Sequence, residues 1–198
     1  AQLKKLYRDI SMLEAKILQD PGETSVDDSR VLSKGGAGSE EAENVRWKKT
    51  IADHKSLAEM MHNLLQISLA HNVPASLRNI PEKYNIIIRL WTHAFHRLLE
   101  HLRRTLLNSR IAMEHLQDFI YYAYTFYTGL LEEENLLLFK WGWLEALGDL
   151  ARYRMAIASM VPPEKERWRS IARDWYASGV ATTPGNGKLH HHLGLLSR

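Results

Sequence analysis

The octapeptide Leu147-Gly148-Asp149-Leu150-Ala151-Arg152-Tyr153-Arg154 lies late in a long apolar segment that is rich in tryptophan. This segment, from Leu136 to Met160, has the composition of a buried helix. Two arginines in such a helix are unusual, because an arginine is rarely buried unless it is paired or faces a groove. We therefore expect the helix to turn a cationic face toward a cavity that holds an anion. Phosphate matches the fork of an arginine best.

The length and composition are those of a globular chain, with 198 residues of which 45% are hydrophobic and 25% charged, and a formal net charge of +3. That is enough for one domain, or for one domain and a fragment of a second. The absence of cysteine excludes disulfides and thiolate zinc sites, and it fits an intracellular protein. The first residues show no signal-peptide pattern, and no apolar run reaches the roughly 18 residues of a membrane span.

Apolar residues recur at helical spacing along nearly the whole chain. The pattern predicts helices over residues 3–18, 45–71, 81–108, 110–132, 135–160 and 164–181, with a seventh that begins near Lys188. Residues 21–44 are rich in Gly, Ser, Asp and Glu, which predicts a flexible loop or a shortened linker. Strand-like alternation is missing and most connections are short, so we predict an all-α fold, an antiparallel helical bundle.

The last two complete helices carry a weak tetratricopeptide-like pattern. Leu147-Gly148 is followed by Ala172, Tyr176 and Pro184 at the later spacing of that repeat, although the connection is longer than the repeat allows. Any helical hairpin with a small residue at its crossing is the alternative. We predict a helical domain over residues 1–160 and a shortened tetratricopeptide-like hairpin over residues 161–198.

The helix predicted over residues 81–108 has a polar face that is rich in basic residues. Its members are Arg89, His93, His96, Arg97, Glu100, Arg103 and Arg104. His96 and Arg103 are seven positions apart, so they lie two turns apart on one face. If this helix faces the one that carries the octapeptide, Arg103 and Arg152 converge on one anion, to which Tyr153 offers a hydroxyl donor.

Two alternatives give the same residues purely structural roles. In the first, the basic face is the ordinary solvated face of an amphipathic helix. In the second, Arg152 pairs with Asp149 or Glu145, which lie on its own helix.

The sequence predicts no metal ion, cofactor or enzymatic activity. His190, His191 and His192 are consecutive, and consecutive helical residues point in different directions, so they chelate one ion poorly. His93 and His96 are one turn apart but lack a third ligand, and His93 is more simply a hydrogen-bonding residue near the core. We recognise no nucleophile–base pair, glycine-rich phosphate loop or convergent pair of carboxylates. We therefore expect a protein that binds rather than catalyses.

Three motifs in one order make the chain similar to a known family. Residues 147–154 resemble the Leu-Gly-Asp-(Ile/Leu)-Ala-Arg-Tyr-Arg signature of the SMG/Est family, the nonsense-mediated-decay adaptors and the Ever-Shorter-Telomeres proteins. Residues 90–95, Leu-Trp-Thr-His-Ala-Phe, resemble the family's Leu-Trp-Asn-His-Ala-Phe. Residues 184–187, Pro-Gly-Asn-Gly, and the helix after them resemble its Pro-x-x-Gly turn and Tyr-Asn-Gln-Leu-Ala helix. The resemblance implies a 14-3-3-like domain over residues 1–160 that continues into tetratricopeptide-like hairpins.

The resemblance also implies a phosphate site. Gly148-Asp149-x-x-Arg152-Tyr153 is similar to the 14-3-3 motif whose Arg and Tyr hold phosphoserine, and Ala94-Phe95-His96 is similar to its Ala-Tyr-Lys. His96 takes the place of the family's pocket lysine, and a histidine is only partly charged at neutral pH. Carried onto this chain, the implied phosphate-binding residues are His96, Arg103, Arg152 and Tyr153, with Arg89, Arg97 and Arg154 as auxiliary residues.

The function that the resemblance implies is an adaptor that binds a phosphoserine or phosphothreonine peptide. Its partner in the decay branch is a phosphorylated helicase of the Upf type. One alternative is a module of the telomerase branch that binds telomerase RNA or single-stranded DNA, motivated by Arg97, Arg103, Arg104, Arg110 and the aromatic residues 121–127. The other is a structural scaffold that forms a homo- or heterodimer through its first two helices.

Overall fold

The computed structural model describes residues 1–20, 37–158 and 162–196. All regular secondary structure in these ranges is helical, which confirms the all-α prediction. None of the helices described there is long and apolar enough to cross a bilayer. The α-helices are α1 (Gln2–Leu18), α2 (Ala37–Ser68), α3 (Ala75–Arg78), α4 (Ile80–Lys83), α5 (Ile86–Arg89), α6 (Arg97–Thr105), α7 (Arg110–Glu132), α8 (Lys140–Ile157), α9 (Pro162–Thr182) and α10 (Gly187–Leu196). A π-helix, Leu90–His96, joins α5 to α6, and a 3-10 helix, Glu134–Phe139, precedes α8.

The second helix begins earlier than its hydrophobic pattern indicates. The sequence predicts a loop up to residue 44, but α2 already begins at Ala37, so that prediction is wrong for residues 37–44. Acidic residues favour the first turns of a helix because the amino end carries a partial positive charge, and Glu40 and Glu41 lie there. Residues 21–36 of the predicted loop lie outside the described residues.

The helix predicted over residues 81–108 is interrupted near its start. Asn85 lies between α4 and α5 with a φ of 52°, in the left-handed region that ends a right-handed helix. Asparagine tolerates this region better than other non-glycine residues. The wider π-helix, Leu90–His96, then carries the motif of residues 90–95 together with His96, and α6 ends at Thr105. The octapeptide's helix also differs at its start, since the predicted residues 135–139 are 3-10 rather than α-helical.

The structure divides into two compact units, Ala1–Phe119 and Ile120–Arg198, with the division inside α7. The domain boundary predicted after residue 160 stays a prediction, because residues 159–161 lie outside the described residues, as does the predicted helix end at Met160.

In the first unit, α1 packs along α2, and α2 packs against the π-helix. The buried core takes Ile10 and Ile17 from α1, and Phe95 from the π-helix. His54 of α2 is 1% exposed, and its Nδ1 lies 2.9 Å from the carbonyl oxygen of Ala94. Because a carbonyl oxygen only accepts, His54 Nδ1 carries the proton and donates it. The motif segment is thereby tied to α2.

In the second unit, α9 packs against both α8 and α10. Gly148 of α8 lies at the crossing with α9, where an added Cβ would collide with the ring of Tyr176. Ala172 and Tyr176 are fully buried in the same core, together with Leu189 of α10. A small residue at the crossing is therefore required by close packing of the two helices, as the sequence pattern predicts for a helical hairpin.

Candidate functional site

His96 and Arg103 are both exposed in the first unit, at the end of the π-helix and on α6. The His96 ring lies 6.0 Å from the ring of Trp91. Arg103 Nη2 donates to Glu100 Oε2 at 2.8 Å, one turn away on the same helix. An exposed ion pair of this kind contributes only about 0–1 kcal/mol. The ion pair with Glu100 by itself therefore holds Arg103 only weakly.

Arg89 is held by a structural cluster that includes α1. Its Nε and Nη2 donate to the carboxylate of Glu14 at 3.0 and 2.9 Å, and its Nη1 donates to Tyr7 Oη at 3.2 Å. His93 Nδ1 lies 3.0 Å from Glu14 Oε2, which confirms the hydrogen-bonding role predicted for His93. We call Tyr7, Glu14, Arg89 and His93 the Glu14 cluster. The cluster ties α1 to α5 and the π-helix.

The Glu14 cluster favours the ionised carboxylate. Burial raises the pKa of Glu14, but the hydrogen bonds and charges of Arg89 and His93 outweigh burial, and the net pKa lies below its ordinary value. The pKa of Arg89 is raised in spite of burial, because Glu14 stabilises its charge. Any auxiliary role of Arg89 in phosphate binding stays a prediction, and it would compete with this cluster.

The other auxiliary residues are both half-buried. Arg97 begins α6, and Arg154 lies near the end of α8. The guanidinium of Arg154 lies 5.7 Å from the ring centroid of Trp168 on α9, a cation–π contact within the second unit.

Arg152 and Tyr153 are half-buried on α8 in the second unit. Arg152 Nη1 lies 3.4 Å from Nδ1 of His192 on α10, a long contact for a hydrogen bond. In the described part of the chain, no carboxylate oxygen lies within 4.0 Å of its guanidinium. Arg152 thus forms no direct ion pair with Asp149 or Glu145 there, but its charge favours the ionised form of Asp149, so the structural alternative for Arg152 stays open.

The carboxylates near Arg152 belong to a cluster that joins three helices. Glu145 and Asp149 lie one turn apart on α8, while Lys188 and His192 lie one turn apart on α10. Lys188 Nζ is 2.7 Å from Glu145 Oε1, and His192 Nε2 is 3.6 Å from Glu145 Oε1 and 3.8 Å from Asp149 Oδ1. From α9, Tyr176 donates its hydroxyl to Asp149 Oδ1 at 2.5 Å. We call these five residues the α8–α10 cluster.

The two carboxyl groups of the α8–α10 cluster differ in their electrostatics. Burial raises the pKa of Glu145, but the neighbouring His192 and Lys188 outweigh burial and the net pKa is lowered. Burial raises the pKa of Asp149 above its ordinary value, and the hydroxyl of Tyr176 offsets this only in part. Burial, followed by the charge of Asp149, raises the pKa of Tyr176. Neighbouring cations therefore stabilise the charge of Glu145 more than burial opposes it, whereas for Asp149 burial outweighs its stabilising neighbours.

The sequence motifs point to neither Lys188 nor Tyr176 as a site residue, and they do not predict that Glu145, Asp149 and His192 lie together. The available signal was the spacing of four between Glu145 and Asp149, which puts both on one face of a helix. The three histidines do diverge, as their consecutive positions predict. His190 Nε2 lies 3.0 Å from the carbonyl oxygen of Pro184, and His191 is exposed.

An acidic cleft in the first unit offers no place for an anion. It has a volume of about 310 Å³ and is lined by Glu40, Glu41, Asn44, Ile111 and Glu114. Its carboxylates repel a phosphate, so this cleft does not suit the predicted anion.

The four implied phosphate-binding residues are divided between the units. His96 and Arg103 belong to the first unit, and Arg152 and Tyr153 belong to the second. That they meet at one phosphate stays a prediction. No family model, curated protein or solved structure matches the chain in comparisons with known proteins. The SMG/Est resemblance therefore rests on the three sequence motifs alone.

Proposed function

We propose that the chain is a phosphopeptide-binding adaptor domain of the SMG/Est type. In it, His96, Arg103, Arg152 and Tyr153 hold a phosphoserine or phosphothreonine of a partner protein. The observation that carries the proposal is the half-buried guanidinium of Arg152, which has no carboxylate within 4.0 Å among the described residues. Asp149 offsets this charge only from beyond 4.0 Å, so a phosphate in direct contact would compensate the partly desolvated guanidinium further.

The exposed residues supply the rest of the proposed charge. Arg103 has a weak exposed partner in Glu100, and His96 is exposed. Two guanidinium groups match the nearly dianionic phosphate of a phosphorylated side chain, and the hydroxyl of Tyr153 adds a neutral donor.

The finer parts of the proposal rest on the motifs. They are the 14-3-3-like arrangement of the helices, the tetratricopeptide-like nature of the last hairpin, and a role without catalysis. A phosphorylated helicase of the Upf type as partner, and work in the nucleus or cytoplasm, belong to the same proposal.

The test compares the binding of a phosphorylated and an unphosphorylated peptide by fluorescence anisotropy at physiological salt. The probe is a labelled phosphoserine peptide pool with its unphosphorylated twin. We expect only the phosphorylated pool to bind, and Arg152→Gln to weaken binding at least about tenfold, because a charge-assisted hydrogen bond contributes roughly 1.5–3 kcal/mol. Arg173→Gln removes the same charge from an exposed position of α9 and is the matched control, expected to stay within about twofold.

Equal binding of both peptide pools would contradict the proposal, and so would equal losses in the two variants. A single-stranded oligonucleotide bound with steep salt dependence, while neither peptide binds, would favour the telomerase-type alternative.

A further inference from the structure

We propose that Glu145, Asp149 and His192 form a binding site for a divalent transition-metal ion of the Zn²⁺ type. One ligand atom of each residue lies within 4.8 Å of the other two. The site goes beyond phosphopeptide binding and does not depend on it, because all three ligands are outside the proposed phosphate pocket.

The separations between the ligand atoms are slightly longer than those of a tetrahedral zinc site. Zinc bonds to imidazole nitrogen and carboxylate oxygen are about 2.0–2.2 Å long, so ligand atoms of a tetrahedral site lie about 3.4 Å apart. His192 Nε2 is 3.6 and 3.8 Å from the carboxylate oxygens of Glu145 and Asp149. Binding of one ion would therefore require the three ligand atoms to move closer together by several tenths of an ångström or more. Three protein ligands leave a fourth position for water, as zinc often keeps.

His192 provides an observation that is independent of the acidic residues. Its Nε2 is buried and has no hydrogen-bond partner among the described residues, since 3.6 Å is too long for a hydrogen bond. Its side chain is only 13% exposed, and the ring stacks on Tyr176 with centroids 5.0 Å apart. Nε2 lies 3.6 and 3.8 Å from one oxygen of each carboxylate, and a cation held among these three atoms would give the buried nitrogen a partner.

Tyr176 also orients the second carboxylate ligand. Its hydroxyl donates to Asp149 Oδ1, and metal-binding carboxylates are commonly held by such an outer hydrogen bond. The ligand set decides the class of ion. A site with an imidazole nitrogen suits zinc and its neighbours, whereas Mg²⁺ and Ca²⁺ take oxygen ligands.

Two cationic side chains compete with a metal ion at this position. Lys188 Nζ is 2.7 Å from Glu145 Oε1, but its side chain is 64% exposed and can leave. Arg152 Nη1 is 3.4 Å from His192 Nδ1, which carries the proton once Nε2 binds a metal. When a metal ion binds, the side chains of Lys188 and Arg152 must therefore move away from Glu145 and His192. Removing either one should strengthen metal binding, while removing a ligand should weaken it.

The experiment is a calorimetric titration of ZnCl₂ into the full chain without peptide. We expect one ion per chain, with His192→Asn and Glu145→Gln weakening binding at least about tenfold, the lower end of what zinc-site changes cost. Lys188→Gln should strengthen binding several-fold because it removes the competing charge. MgCl₂ should produce no comparable binding.

The control addresses the exposed neighbours of His192. The double variant His190→Asn/His191→Asn removes two histidines that point elsewhere, and its zinc affinity should stay within about twofold. Loss of binding in this variant, or unchanged binding in His192→Asn, would overturn the proposal. Circular dichroism shows whether each variant folds. If His192→Asn is unfolded, the proposal is tested by the other two variants. It then requires weaker zinc binding in folded Glu145→Gln and stronger zinc binding in Lys188→Gln.

Discussion

At the scale of single residues, Gly148 is the described glycine at which an added Cβ would make the closest contact. It lies where α8 crosses α9, and the Tyr176 ring occupies the space that a side chain there would need. The same Tyr176 hydrogen-bonds Asp149 and stacks on His192, so this contact also positions the α8–α10 cluster. A change at Gly148 is therefore transmitted to the residues around Arg152.

We expect Gly148→Ala to destabilise the protein by up to about 2 kcal/mol. The added methyl group overpacks the crossing at a cost of about 1–3 kcal/mol, and the roughly 1 kcal/mol that alanine gains over glycine within a helix offsets part of this cost. The measurement is urea unfolding followed by circular dichroism. Gly129→Ala on α7 is the matched control, since nothing lies within 4 Å of its added Cβ, and it should be neutral or stabilising. Similar effects of the two changes would show that the contact with Tyr176 is not limiting.

Roles that depend on neighbours close in sequence can be predicted from the sequence, whereas roles that depend on distant partners cannot. The small residue at position 148 and the buried Ala172 and Tyr176 follow from a short-range pattern. Glu14 lies 75 positions from Arg89, and His192 lies 40 positions from Arg152. Such partners depend on tertiary packing, so the sequence alone cannot separate a structural arginine from one without a carboxylate.

At the scale of elements, the Glu14 cluster is the main polar connection of α1 to α5 and the π-helix. Its side chains are mostly buried, with Glu14 13% and Arg89 17% exposed. The pKa of Glu14 is lowered in the folded protein. The cluster's stabilisation is therefore complete above the ordinary pKa of the carboxyl group and is lost as the pH falls through the lower folded value.

We expect Glu14→Gln to destabilise the protein by about 1–3 kcal/mol at pH 7, since it removes hydrogen bonds to charged groups. The difference from wild type should shrink as the pH is lowered below about 4.5, because Glu14 then becomes protonated in wild type as well. Urea unfolding at several pH values measures this difference. Glu82→Gln, an exposed position of α4, is the control. A difference that stays constant down to pH 3 would contradict the electrostatic account.

The elements themselves were predicted best where the apolar pattern is long and uninterrupted. α7 runs from Arg110 to Glu132, as the pattern predicts. The break at Asn85 carries no glycine or proline signal, and the early start of α2 lies in a polar segment without apolar periodicity. Local backbone conformation and the charge at helix ends determine where these helices begin and end. The hydrophobic pattern carries no information about either.

At the scale of the whole molecule, the fold class follows from helical periodicity, whereas the proposed phosphate site requires residues from two compact units. Periodicity describes each helix separately and is silent on which helices are neighbours. The proposal that His96 and Arg103 act with Arg152 and Tyr153 is therefore a statement about tertiary structure that rests on the motifs. Its central claim is that one phosphate contacts both arginines.

A double-mutant cycle on Arg103 and Arg152 tests that claim most directly. Peptide affinity is measured by anisotropy for wild type, Arg103→Gln, Arg152→Gln and the double variant, with the phosphorylated and the unphosphorylated peptide. If both arginines hold one phosphate, the losses for the phosphorylated peptide are non-additive, with a coupling of about 0.5–3 kcal/mol that the unphosphorylated peptide does not show. Strictly additive losses, or no loss in either single variant, would contradict the account.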